Sequence, residues 1–182
     1  MPGKREEYLT WEEHFMGIAL VTAARSKDPS TQVGACIADS NNRILSTGYN
    51  GLTQGMNDDT FYWNSIGEQT GELMKIKNPF VVHAERNAIL NYRGSRQDLE
   101  NSTLYVTWYP CSECTKEIIQ AGIKRVVYLG MYSKPEDVEI SKIMFQAAGV
   151  EVYSYNSKRE FSKPEIRENI EGVQKMLKRF SN

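Results

Sequence analysis

"STLYVTWYPCSECTKEIIQAGI", Ser102 to Ile123, reads as a strand that runs straight into a helix, with two of the chain's three cysteines at the junction. Leu104 to Trp108 are β-branched, aromatic or aliphatic, the side chains that suit a strand. Pro110 breaks the run, and an amphipathic segment follows until Gly122, a residue suited to ending a helix. "RVVYLG", Arg125 to Gly130, is another apolar strand. A strand–helix–strand unit of this kind closes as a right-handed crossover between parallel strands. That predicts an α/β sheet protein.

Working outward, the same alternation continues. "TWEE", Thr10 to Glu13, is a capping box that opens a helix reaching about Ser26, with Phe15, Ile18 and Val21 as its apolar stripe. "VGACIAD" (Val33–Asp39) and "RILSTGYN" (Arg43–Asn50) flank a polar turn and predict a β-hairpin. "HAERNAILNYR" (His83–Arg93) is helical, as is the segment after a second S-x-x-E box at Ser133 and Glu136. "VEVYSY" (Val150–Tyr155) makes a fifth strand. About thirty residues from Gly51 to Val81 have no clear period, and a loop of that length is usually functional or an insertion. Beyond Tyr155 the chain becomes more charged. Ser162 and Pro164 then open an amphipathic helix with Ile166, Ile170, Val173, Leu177 and Phe180 on one face, packed either on the same domain or on a neighbouring subunit. The whole predicts a mixed sheet with helices on both faces.

Composition sets limits. With 182 residues, 40% hydrophobic and 25% charged, the chain can bury a sizeable core. A net charge of −1 gives no overall attraction to a nucleic acid polymer or an anionic membrane. No apolar run reaches the roughly 20 residues needed to cross a bilayer, and the charged start lacks the apolar core of a signal peptide. Three cysteines make a poor disulfide framework, so the expected setting is the reducing cytoplasm, where a C-x-x-C pair binds metal or does chemistry.

Cys111 and Cys114 need partners to hold a metal. Cys36 sits mid-strand among apolar residues and reads as a small buried side chain. Of the two histidines, His14 lies inside the first helix, whereas His83 starts a helix after a strand-and-loop stretch, as Cys111 does. Helix N-termini gather at the carboxyl edge of an open α/β sheet. Two such helices can bring one imidazole and two thiolates to zinc, leaving a fourth position open, as catalytic zinc requires. A redox C-x-x-C or a closed structural zinc site are the competing readings. Glu85 separates them: a carboxylate two residues after the histidine can take a proton from water beside the metal and pass it on. His83-Ala84-Glu85, then 24 residues, then Pro110-Cys111-x-x-Cys114 is the H-x-E…P-C-x-x-C signature of zinc deaminases.

On these residues, with "RSKDPSTQVGAC", "GYNG", "NDD" before "NPFVVHAE", and "IIQAGIK", the chain resembles the deoxycytidylate (dCMP) deaminases over nearly its whole length. The resemblance implies the cytidine deaminase-like α/β/α sandwich, a five-stranded mixed sheet in order 2-1-3-4-5 with an added C-terminal helix. The zinc deaminase domain would span 1–156, and a tail and helix 157–182. It implies Zn2+ on His83, Cys111 and Cys114, with Glu85 as proton shuttle, and hydrolysis of dCMP to dUMP and ammonia, which supplies thymidylate synthesis. It also implies a homohexamer activated by dCTP and inhibited by dTTP, with Mg2+ accompanying the triphosphate.

Several residues fit a nucleotide pocket. Arg25 and Ser26 either meet the phosphate or end the first helix. Asn50 either meets the deoxyribose or satisfies a local turn. Tyr132, Tyr109, Ala84 and Pro110 are placed at the same edge. Asn50, Gly51, Asp58 and Asp59 are candidates for the effector site. A tRNA adenosine deaminase, a free-nucleoside deaminase and a non-catalytic nucleotide-binding regulator are the competing functions. A lack of basic bias, a phosphate clamp at Arg25 and an intact Glu85 argue against them in turn.

Overall fold

The computed structural model describes residues 2–64, 76–131, 134–156 and 163–178. Seven strands and six helices follow one another along them. They are α1 (Trp11–Ala23), β1 (Gly34–Ala38), β2 (Ile44–Tyr49), β3 (Gly51–Leu52), β4 (Val81–Val82), α2 (Ala84–Asn91), α3 (Arg96–Leu99), β5 (Thr103–Trp108), α4 (Ser112–Gln120), β6 (Arg125–Gly130), α5 (Pro135–Ala147), β7 (Glu151–Ser154) and α6 (Lys163–Lys178). Five strands form the main sheet in the order β2-β1-β5-β6-β7. With β3 and β4 set aside as a separate ribbon, this is the predicted 2-1-3-4-5. Strand β1 is antiparallel to both β2 and β5, while β5, β6 and β7 are parallel.

Burial explains the three layers. All of β1 and β5 is buried, as expected for strands covered on both faces. Alternate residues then face opposite layers. Ala35, Ile37, Leu104, Val106 and Val126 pack with Ala84, Ala88, Ile118 and Phe145 of α2, α4 and α5. Cys36, Ala38, Tyr105, Val127 and Leu129 pack with Phe15, Met16 and Ala19 of α1, and with Ile166 and Ile170 of α6. The C-terminal helix thus seats the first part of its apolar stripe, Ile166 and Ile170, on its own chain. Gln174 donates to the Ala24 carbonyl at 3.1 Å and Arg167 to Ser30 O at 3.1 Å. Further along the stripe Val173 is half-buried and Leu177 exposed, while Phe180 lies outside the described residues.

The predicted capping box at Thr10 and Glu13 is present, with both reciprocal bonds made. Helix α1 ends at Ala23, so Arg25 and Ser26 lie past its end and not in its last turn, although Arg25 N–H still reaches Thr22 O. The second predicted box does not start α5. Lys134 occupies its N-cap without a side-chain bond, and Pro135 takes the first helical position, where its fixed φ suits it and no N–H is missed. Ser133 lies outside the described residues. Inside the long segment, Gly51–Leu52 and Val81–Val82 pair antiparallel, and strands of two residues leave no period to read.

Two helices approach the sheet closely at glycines. A Cβ on Gly34 would overlap Ala19 O and Ala23 N of α1, and one on Gly48 would overlap Ala88 N and Ala84 O of α2. Helix α2 is also stitched to β2 by polar bonds: Ser46 Oγ to Ala88 O at 2.6 Å, Asn87 Nδ2 to Tyr49 O at 2.8 Å and Asn91 Nδ2 to Thr47 O at 3.0 Å. Gly48→Ala must push α2 away, and is expected to destabilise the protein by about 1–3 kcal/mol. Gly17→Ala in α1, where a Cβ would meet nothing within 4 Å, is expected to add roughly 0.5–1 kcal/mol of helix stability. Urea unfolding of the two variants checks both signs.

Candidate active site

The strand pairing sets one edge of the sheet. The end of β2 at Tyr49, the start of β1 at Gly34 and the ends of β5 and β6 lie together there. The loop leading into β1, the ribbon of β3 and β4, and the starts of α2 and α4 all open from it.

His83 is the N-cap of α2 and Cys111 the N-cap of α4, and neither side chain caps its own helix. Both turn toward one point. His83 Nδ1 lies 3.4 Å from Cys111 Sγ and 3.4 Å from Cys114 Sγ. The three ligand atoms fall within 4.8 Å of one another, the one such His/Cys/Asp/Glu group among the described residues. Tetrahedral zinc, with Zn–N of about 2.0–2.1 Å and Zn–S of about 2.3 Å, sets these atoms roughly 3.5 Å apart. The donor set and its spacing therefore fit zinc.

Electrostatics point the same way. The Cys114 thiol and His83 donate toward Cys111 and hold it ionised, down to about 4. The bond with Cys111 pushes His83 up to about 9, and the same partner, with burial, pushes the Cys114 thiol up. A divalent cation at that point replaces those two protons, so metal uptake releases protons. Two helix N-termini add positive potential. Glu85, in the first turn of α2, is 4% exposed, and burial pushes its carboxyl up to about 7. Cys36 is fully buried and pushed up to about 12 by that burial, which makes it an inert core side chain.

Neighbouring helices hold the two cysteines in place. Asp137 of α5 accepts from the Ser112 N–H at 3.3 Å and so caps α4 from outside. Ser141 Oγ donates to Pro110 O at 3.1 Å. Arg86 of α2 pairs with Glu117 of α4, with Nε to Oε1 at 2.6 Å, across the two ligand-bearing helices. None of these contacts has a sequence signal, because each joins residues at least 25 positions apart.

This chain belongs to the cytidine and deoxycytidylate deaminase family. The family's zinc-binding region matches residues 9–130. A probable deoxycytidylate deaminase of Drosophila melanogaster is 49% identical over 151 residues, 81% of this chain and 73% of its own length. The mouse deoxycytidylate deaminase is 42% identical over 156 residues, 85% of each chain. Among solved structures, the dCMP deaminase of cyanophage S-TIM5 superposes with a TM-score of 0.59 at 29% identity, covering 79% of this chain and 95% of its own. That deaminase family is zinc-binding, and His83, Cys111 and Cys114 form a group that can hold Zn2+.

The other expected site residues divide. Arg25 is exposed, with its guanidinium 5.9 Å over the Tyr49 ring. Ser26 lies beside it, but its hydroxyl donates to Asn50 O at 2.8 Å. The Asn50 amide is committed to the protein: Oδ1 accepts from Val33 N at 2.8 Å, and Nδ2 donates to Thr31 O at 2.9 Å and Asp28 Oδ2 at 3.3 Å. Asn50 thus serves the scaffold. Tyr109 is 4% exposed in the core, edge-on to Tyr128 at 4.9 Å. The Ala84 side chain and Pro110 are likewise buried. Tyr132 lies outside the described residues. Asp58 is ion-paired with Lys27 at 2.7 Å, Asp59 is exposed, and Gly51 pairs with Val82 in the ribbon.

Cys111→Ala and Cys114→Ala are each expected to lose stoichiometric zinc and much stability, because the metal ties two helix starts together. Cys36→Ala is expected to keep its zinc at a packing cost of roughly 1 kcal/mol. Metal analysis of the purified variants separates the ligands from the bystander.

Proposed function

We propose that this protein is a zinc-dependent hydrolase that converts dCMP to dUMP and ammonia. The observation that carries the reading is the buried Glu85 carboxyl beside the point where His83, Cys111 and Cys114 converge. Zinc held there supplies the Lewis acidity that makes water a competent nucleophile near neutral pH. The chain's own part is proton transfer and positioning. With its carboxyl near 7, Glu85 can accept a proton from the attacking water and release it again at neutral pH. It returns that proton to the ring nitrogen, then takes the second proton from the oxygen added to the ring carbon and passes it to the amine, which departs as ammonia. The fixed N-caps hold His83 and Cys111 in place without reorganisation, and burial keeps bulk water from Glu85.

The mouse and cyanophage proteins are dCMP deaminases and the Drosophila protein a probable one, and the cyanophage enzyme also has a structure with dCMP and dUMP, with a TM-score of 0.56. For this chain the monophosphate preference falls to Arg25, an exposed guanidinium at the sheet edge that also carries the metal ligands. We take the same reading to include activation by dCTP and inhibition by dTTP, with Mg2+, in a homohexamer that supplies dUMP for thymidylate synthesis. The exposed Asp59 is the acidic group left for that cation, since Asp58 is held by Lys27.

A panel of dCMP, CMP, dCTP and deoxycytidine, each with and without dCTP and dTTP as effectors, tests the assignment. Arg25→Ala is expected to lower kcat/KM on dCMP roughly ten- to a hundredfold, the value of about 1.5–3 kcal/mol for a charge-assisted contact. Its activity on deoxycytidine should hardly change. An equal fall on both substrates would make Arg25 a structural residue.

A further inference from the structure

Asp28 and Lys77 form an ion pair whose side chains are only 3% and 6% exposed. The other ion pairs among the described residues are far more open to solvent. Two charges taken out of water are held only where their remaining lone pairs and protons are met. Here they are. Lys77 Nζ donates to both oxygens of the Asp28 carboxylate. Ser30 N and Thr31 N donate to Oδ1 at 2.8 and 3.1 Å, and Asn50 Nδ2 to Oδ2 at 3.3 Å. The loop from Ser26 to Val33 is wrapped around this one carboxylate.

The bonds lead to both ends of the site. Lys77 O accepts from Phe80 N and Val81 N at 2.9 and 3.1 Å, which turns the chain into β4, and His83 follows β4 directly. Asn50 leads directly into β3, the partner of β4. The Asp28 carboxylate is therefore bonded to the residue that begins each approach to the ribbon. On its other side, the Asp28 N–H donates to Ser26 Oγ at 3.3 Å, and Ser26 adjoins Arg25. A satisfied polar network of this kind fixes direction as well as proximity, which an apolar contact would not.

We propose that the buried Asp28–Lys77 pair is a positioning element that sets the distance between the metal end of the site, at His83, and the phosphate end, at Arg25. The proposal rests on the reading of the protein as a dCMP deaminase only for what the distance is used for. Neither residue touches substrate; both act through the ribbon and the loop.

The single change Lys77→Met would leave a buried carboxylate unpaired, so the test uses the neutral double variant Asp28→Asn/Lys77→Met. The amide oxygen introduced at position 28 can still accept from the Ser30 and Thr31 N–H groups, and no charge is stranded. The variant is expected to fold and to hold stoichiometric zinc. Its kcat/KM on dCMP relative to deoxycytidine should fall on the order of ten- to a hundredfold, as displaced reacting groups do. The conservative Lys77→Arg, which keeps the pair, should retain most of that ratio. Amide hydrogen exchange gives a readout independent of any substrate: residues 51–52 and 81–83 should exchange faster in the double variant while β5 and β6 stay protected. If the unsubstituted protein did not deaminate dCMP, the functional reading would fail and the exchange result would still decide the structural claim. Three outcomes overturn the proposal. One is a folded double variant with unchanged exchange and ratio. Another is an equal loss in Lys77→Arg. The third is a double variant that does not fold, which would assign the pair to overall stability.

Discussion

The structure depends on two helix N-caps that give up capping. Most helices put Ser, Thr, Asp or Asn at that position, and losing such a cap costs about 0.5–2 kcal/mol. Helices α2 and α4 instead carry His83 and Cys111 there, with extended backbones and side chains aimed at each other. The surroundings offset the loss. Asp137 serves the open end of α4 from α5, and Gly48 lets α2 lie close on β2, where three side-chain bonds hold it. The sheet order follows the same requirement, because it brings the ends of β2 and β5 to one edge.

How much of this is legible in sequence depends on whether the signal is local. The strand-to-helix run from Ser102, the hairpin and the Thr10 capping box are local and give a mixed sheet covered by helices; the five-stranded order is what the family resemblance implies. The zinc set is legible for a different reason: with two histidines and three cysteines in the chain, only His83, Cys111 and Cys114 stand at helix starts. Partnerships across distance are not legible. Nothing in "RSKDPS" or "KIKNP" says that Asp28 and Lys77, 49 positions apart, meet. The partners of Asn50 are not legible either, because Val33, Thr31 and Asp28 belong to another loop. Nor is the direction of Tyr109, because a residue at the end of a strand can face either the edge or the core, and here Tyr128 and Phe145 take it inward.

Two kinds of buried charge serve two purposes. Asp28 is surrounded by donors and held against Lys77, so it can organise a loop and a ribbon without taking part in chemistry. Glu85 is as deeply buried, yet burial pushes its carboxyl up to about 7, where it can exchange a proton at neutral pH. Burial alone does not mark a catalytic group: Asp28 is met by a cation and three further donors, whereas at Glu85 burial outweighs the bonds from its own backbone N–H and from Cys114. The ion pair fixes geometry, and the carboxyl beside the three ligands is left able to change its protonation.

The most direct measurement is made on Glu85→Gln, by counting zinc and timing ammonia release from dCMP in the same preparation. The amide keeps the shape of the carboxyl but cannot carry the proton. The predicted result is one zinc per chain with turnover reduced by about 10²–10⁴-fold, the usual worth of a positioned acid–base group. A variant that keeps both its zinc and its turnover would contradict the role given to Glu85. One that loses zinc together with activity would make this carboxyl a support of the metal site and not the group that moves the proton.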